Sequence, residues 1–99
     1  MKKFIVRILW LQHSIGLSID HIVDKGYSPL SSYFFWPSND VWTQIKIELE
    51  SKPWISDSDK IDLLNQVTLI INYWQENKNS KSIEEIKKEN PDFLFCGDY

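Results

Sequence analysis

Phe4-Ile5-Val6-Arg7-Ile8-Leu9-Trp10-Leu11, then Gln12-His13-Ser14, then Ile15-Gly16-Leu17-Ser18-Ile19-Asp20-His21-Ile22-Val23: the fold turns on this stretch. The first run is rich in β-branched and aromatic side chains, which suit a pleated, half-buried surface. The second alternates, with Ile15, Leu17, Ile19 and Val23 on one face and Gly16, Ser18 and Asp20 on the other. Gln12-His13-Ser14 is the only polar break between the runs, so residues 4–23 read as a β-hairpin. A tight turn at His13-Ser14 would set Trp10 against Leu17, Ile8 against Ile19 and Arg7 against Asp20. The opposite charges of the last pair favour that register. His-Ser is poor chemistry for a two-residue turn, which leaves a longer loop open. Lys2 and Lys3 before an apolar run resemble a secretion signal, but Arg7 interrupts the run and no small-residue cleavage site follows.

Outward from the hairpin, Asp24 to Pro29 reads as a turn or loop. Leu30 to Trp36 is too short for a helix before Pro37, and the four aromatics Tyr33-Phe34-Phe35-Trp36 suit extended chain. Ser38-Asn39-Asp40 offers caps for a helix over 39–52, with Val41, Trp42, Ile45 and Leu49 at helical spacing. Ser56 to Asp59 has capping-box spacing and opens a helix over 57–76. Its stripe of Ile61, Leu64, Val67, Ile71 and Trp74, flanked by Leu63 and Ile70, is wide, so this helix should be the most buried. Asn77 to Lys81 is polar; Ser82-Ile83-Glu84-Glu85 caps a short helix limited by Pro91.

The fold class is therefore α+β. The N-terminal β-hairpin packs its Phe4, Val6, Ile8 and Trp10 face on two main α-helices, followed by a short C-terminal helix and tail. Residues 1–76 form the domain; residues 77–99 form linker, short helix and tail. Phe93, Leu94 and Phe95 are too apolar to stay exposed, and the linker lets them reach beyond the domain. Residues 82–99 are thus expected to order only against a neighbour.

Ninety-nine residues allow one domain and one modest core. The net charge of -3 disfavours a free-standing binder of nucleic acid by bulk charge. No run approaches the roughly 18 apolar residues of a membrane helix, so no membrane partner is expected. Cys96 is alone, which excludes an internal disulfide and a cysteine metal cage. Two histidines without metal spacing and no phosphate-cradling loop leave no catalytic, cofactor or metal site to assign, and no small-molecule substrate. Asp57 and Asp59 belong to a helix start rather than to acid–base chemistry. Two kinds of contact residue remain. Lys2, Lys3 and Arg7 stand in residues 1–13 without an acid and suit phosphates; residues 40–62 carry six acids against three lysines and suit a basic protein neighbour. Tyr33 and Phe35, on one side of the extended aromatic run, and Phe93 and Phe95 in the tail are candidate partner contacts.

The residue usage adds a separate message. There is no alanine, against 13 isoleucines, 10 lysines and 6 asparagines, although alanine is the best helix former. Such usage reflects an AT-rich genome, an organelle's or a bacterium's.

Ser28-Pro29-Leu30-Ser31-Ser32-Tyr33-Phe34-Phe35-Trp36-Pro37, Asn39-Asp40, Trp42, Leu49-Glu50-Ser51-Lys52-Pro53-Trp54-Ile55, Leu64-Asn65-Gln66 and Ile71-Asn72-Tyr73-Trp74-Gln75-Glu76 resemble the plastid-specific ribosomal protein 3 family. The resemblance runs from about residue 3 to residue 76. It implies a structural, non-enzymatic component of the small (30S) subunit of a plastid or cyanobacterial-type ribosome, in contact with small-subunit rRNA and neighbouring ribosomal proteins. With the AT-rich usage and no transit peptide, it implies a plastid protein encoded in the plastid. The acidic charge places it peripherally. The rival reading is a protein-interaction adaptor that regulates translation or assembly. Ser38 departs from the family, which often has a basic residue there, and residues 77–99 match none of these words.

Overall fold

The structure, a computed structural model, describes residues 3–96. Strands β1 (Phe4–Trp10) and β2 (Ile15–Val23) form the expected antiparallel hairpin. The register differs from the one a tight turn would impose: Trp10 stands opposite Ile15, Ile8 opposite Leu17 and Arg7 opposite Ser18. The loop is longer, closed by the Leu11 N–H donating to the Ser14 carbonyl at 3.1 Å. A slip of two residues keeps every side chain on its own face. Val6, Ile8, Ile15, Leu17 and Ile19 are accordingly buried, with Phe4 and Trp10 nearly so. Val23 is the exception on that face and is exposed. Phe4 already stands opposite His21, so β2 runs past the start of β1 and Val23 faces only Gly26.

The stretch after the hairpin is more ordered than a loop. Asp24-Lys25 makes the turn, closed by Gly26 at φ +151°, a conformation that favours glycine. Strand β3 (Gly26–Pro29) then pairs antiparallel with β2. The aromatic run is extended as expected, and its strand β4 (Phe34–Trp36) pairs with β2 further along the same strand. Between β3 and β4 the register shifts by two residues. Ser31 bridges the gap, its hydroxyl accepting from the Ile19 N–H at 3.1 Å, while the Leu30 N–H donates to the Ile19 carbonyl at 2.9 Å.

Helix α1 (Val41–Glu50) is capped by Asp40, whose carboxylate accepts from the Thr43 N–H at 3.3 Å and the Thr43 hydroxyl at 2.8 Å. It buries Val41, Ile45 and Leu49. Helix α2 (Asp57–Asn77) is capped by Ser56 and buries Leu63, Leu64, Val67, Ile70, Ile71 and Trp74. Two apolar residues expected in these stripes are exposed. Trp42 lies about 100° around α1 from Val41, and Ile61 about 120° around α2 from Val67. Trp74 is 2% exposed, and its indole N–H donates to the Leu11 carbonyl at 2.8 Å, fastening the end of α2 to the hairpin loop.

The C-terminal segment belongs to this core, contrary to the expectation that it orders only against a neighbour. Helix α3 (Ile83–Glu89) is capped by Ser82 and buries Ile86 almost completely. Strand β5 (Leu94–Cys96) then joins the free edge of β1 in parallel, Phe95 opposite Ile8, and gives the sheet order β3-β2-β1-β5. Phe93 and Phe95 pack partly buried on the core. The linker is spanned by side chains: Glu89 accepts from the Tyr73 hydroxyl at 2.7 Å and from Lys81 at 2.9 Å. The bond to Lys81, then that to Tyr73, holds the Glu89 carboxyl below the usual carboxylate range. Gly97, Asp98 and Tyr99 lie outside the described residues.

Two outcomes follow for stability. Trp74→Ala should lose about 3–5 kcal/mol in urea unfolding, the loss of a buried tryptophan; a loss under 1 kcal/mol would place the side chain outside the core. Truncation after Asn77 uncovers the β1 edge and empties the Ile86 site. It should lower the thermal midpoint clearly, and an unchanged midpoint would show that the segment contributes nothing to the fold.

Candidate functional site

Alternation along the strands gives the sheet a second face. Helices α1 and α2 pack on the face of Phe4, Val6, Ile8 and Trp10; Ile5, Arg7 and Leu9 point the other way, with Gly16, Ser18 and Asp20 beside them. Ser18 and Asp20 are 2% and 1% exposed although polar. A carboxylate that deep needs a partner. Arg7 supplies it: Nε donates to Asp20 Oδ2 at 2.8 Å, and Nη2 reaches the same oxygen. Since Arg7 stands opposite Ser18, the pair is diagonal across the two strands. The guanidinium also donates from Nη1 to Cys96 Sγ at 3.3 Å, which ties β5 to the same point. The hydrogen bond to Asp20 holds the Arg7 pKa above its ordinary value.

Aromatic side chains surround this ion pair. Burial pushes the Tyr33 hydroxyl above the usual phenol range, with Cys96 adding to the shift and Arg7 opposing it. The Tyr33 and Phe35 rings are 6.2 Å apart at 31°. Phe35 lies opposite Gly16, where a Cβ would stand 2.8 Å from its Cε1 atom. Any side chain at 16 would therefore push the ring off the sheet. A lone glycine inside an alternating strand is the sequence signal for such a close approach.

The sequence-derived contact residues fall in different places. Arg7, Tyr33 and Phe35 meet on the outer face, and Arg7 has its charge engaged by Asp20. Lys3 is exposed at the start of β1, its carbonyl accepting from the Ile22 N–H at 2.8 Å; Lys2 lies outside the described residues. Phe93 and Phe95 are committed to the core, Phe95 lying 6.4 Å from Trp10. A further aromatic cluster was not anticipated: Trp54, 57% exposed, leans on His21 at 5.5 Å and on Phe4 at 5.9 Å. Among the described residues there is no group of three or more acidic, histidine or cysteine side chains able to hold a metal ion. No described helix is long and apolar enough to cross a membrane.

Comparison with known proteins decides the family. Residues 30–77 match the model of the plastid and cyanobacterial ribosomal protein family (PSRP-3 / Ycf65). The chain is 52% identical to the small ribosomal subunit protein cS23 of Gracilaria tenuistipitata var. liui over 97 residues, 98% of each chain. It belongs to this family. It is also 48% identical to a probable small ribosomal subunit protein cS23 of Synechococcus sp. (strain JA-3-3Ab), over 98% of each chain. With the protein of that name from Cyanidium caldarium the identity is 42% over 101 residues and the whole of both chains. The likeness therefore extends past Glu76, where the recognised words stop, and takes in the segment that forms α3 and β5. The outer face lies on β1, β2, β4 and β5, and Tyr33 and Phe35 on that face fall within residues 30–77.

The buried ion pair makes a specific demand. Arg7→Met leaves the Asp20 carboxylate unpaired and should destabilise the fold by about 2 kcal/mol, below a fully dry pair because Arg7 keeps some exposure to water. Adding Asp20→Asn to that variant should recover part of the loss in urea unfolding. Strictly additive losses would show that the two side chains do not depend on each other.

Proposed function

We propose that this chain is a structural, non-enzymatic component of the small subunit of a plastid ribosome. The observation that carries this reading is the end-to-end similarity to proteins named for that subunit in Gracilaria tenuistipitata var. liui and Synechococcus sp.. The structure supports it by what it offers: a small α+β domain with an aromatic outer face. The AT-rich residue usage favours a plastid over a cyanobacterial cell and favours encoding in the plastid genome.

The contacts we assign are modest in number. Lys3 is exposed at the start of β1, and its cation, with that of its sequence neighbour Lys2, would meet small-subunit rRNA. Arg7 contributes less, because its charge is spent on Asp20. Tyr33 and Phe35 are the aromatic contacts for a neighbouring protein or base, whereas Phe93 and Phe95 serve the core first. The acidic residues of 40–62 would face basic protein rather than RNA, which gives a peripheral seat on the particle.

Sedimentation tests the reading. The chain should travel with small subunits through a high-salt gradient at near-equal stoichiometry. Release by salt in substoichiometric amounts would instead favour an adaptor that regulates translation or assembly. Charge reversal refines the test. Lys2→Glu with Lys3→Glu should lower the salt slope of association by up to about two units, close to one per lost phosphate contact, while Arg7→Gln leaves the slope unchanged. A slope untouched by the lysine variants would assign the anchoring to protein neighbours.

A further inference from the structure

Helices α1 and α2 cover one face of the sheet; on the other, rings follow one another down β2. Phe35 lies over Gly16. Phe34, opposite Leu17, turns to the core, so Tyr33 comes next on the outer side, level with Ser18 and beside Arg7 and Cys96. Pro29 stands opposite Asp20 and Tyr27 opposite Ile22, both exposed, Tyr27 by 46%. Strands β3 and β4 pair with the same edge of β2, so the four rings form one line beside positions 16, 18, 20 and 22. Two residues of strand advance about 6.6 Å. The Tyr33 and Phe35 centroids, 6.2 Å apart, keep that pitch.

The pitch and the charge select the same occupant. Stacked bases of a duplex rise roughly 3.4 Å along each strand, about half the spacing of these rings. Neighbouring rings can each take a base only from a chain whose bases are splayed apart, as in unpaired RNA. Residues 1–36, which form β1 to β4, hold two acids against four cations, whereas residues 37–99 hold twelve against seven. Of those two acids, Asp20 is buried and engaged by Arg7, and Asp24 lies in the turn after β2. Lys3 continues the alternation of Ile5 and Arg7. Its carbonyl accepts from the Ile22 N–H, which sets the exposed lysine in the outer row of Ile22 and Tyr27. A phosphate chain is therefore drawn to this face. The exposed rings elsewhere, Trp42 and Trp54, lie within residues 40–62, where six acids against three lysines would repel it.

We infer that an unpaired RNA segment lies along β2 on the outer face, with bases stacked on Phe35, Tyr33 and Tyr27 and phosphates toward Lys3. This rests on the small-subunit reading only for the source of the RNA; the stacking track is a property of the chain itself. A short labelled oligouridine, titrated with the full-length protein and followed by fluorescence anisotropy, should bind. Its duplex with oligoadenylate should bind about tenfold more weakly or not at all. Tyr27→Ala and Tyr33→Ala should each weaken binding by about tenfold, the loss of one stacked base. Tyr33→Phe keeps the ring and should restore the affinity lost in Tyr33→Ala. Trp54→Ala removes an exposed ring off the track and should change nothing. A polyglutamate peptide of equal length has the charge without the bases and should not displace the RNA. Tyr27 is a surface residue, so its variant decides the matter if Tyr33→Ala fails to fold. Absence of binding, equal binding of the duplex, an affinity unchanged by either alanine variant of the tyrosines, no rescue by Tyr33→Phe, a loss in Trp54→Ala, or displacement by polyglutamate would overturn the inference. A photoreactive residue at position 27, in chains assembled on small subunits, should cross-link to rRNA; a cross-link to protein alone would overturn it. The titration needs no ribosome, so its failure and a failure to co-sediment are told apart.

Discussion

β2 is the strand on which the rest depends. It pairs with β1 along one edge and with β3 and then β4 along the other. Ile15, Leu17 and Ile19 fill the core beneath the helices, while Gly16, Ser18 and Asp20 are buried on the opposite face. A strand closed on four sides admits few alternatives, and its most demanding group is the Asp20 carboxylate. Only a cation can make that burial tolerable, and the sole arginine of the chain is placed to do it. The same guanidinium reaches Cys96, so one side chain joins the first, second and last strands.

The consequence for function is a division of labour among surfaces. Positive charge gathers at the N-terminal end, acidic charge on the helices, and aromatic rings on the outer face of the sheet. The three regions differ in their chemistry, one cationic, one acidic and one aromatic. Trp74 bonded to the hairpin loop and Glu89 held by Tyr73 and Lys81 keep these surfaces in fixed relation.

Much of this was legible from residues alone, and the failures have physical causes. The period of two in 4–23 gave both faces of the hairpin, and Ser56 and Ser82 gave the starts of α2 and α3; α1 begins at Val41, two residues later than the 39–52 reading, because Asp40 rather than Ser38 caps it. The register escaped because it depends on loop length, which His13-Ser14 does not encode. β3 and β5 are four and three residues long, too short for any periodicity, and exist because open edges of β2 and β1 accept them. That made Phe93 and Phe95 look like a tail in search of a partner. The Arg7–Asp20 pair was visible as complementary charge, though in another register. Cys96, 89 residues from Arg7, was not, because only the parallel pairing of β5 brings it there. Trp42 shows the limit of stripe reasoning: helical spacing marks a side chain near the core but does not say which flank stays open.

An image reconstruction of salt-washed small subunits from the source organism tests the central claim most directly. A structural component should appear as one body at near-full occupancy, with β5 beside β1 and Arg7 on Asp20 as in the free chain. Subunits that lack this density after the wash, yet remain intact and active, would contradict it.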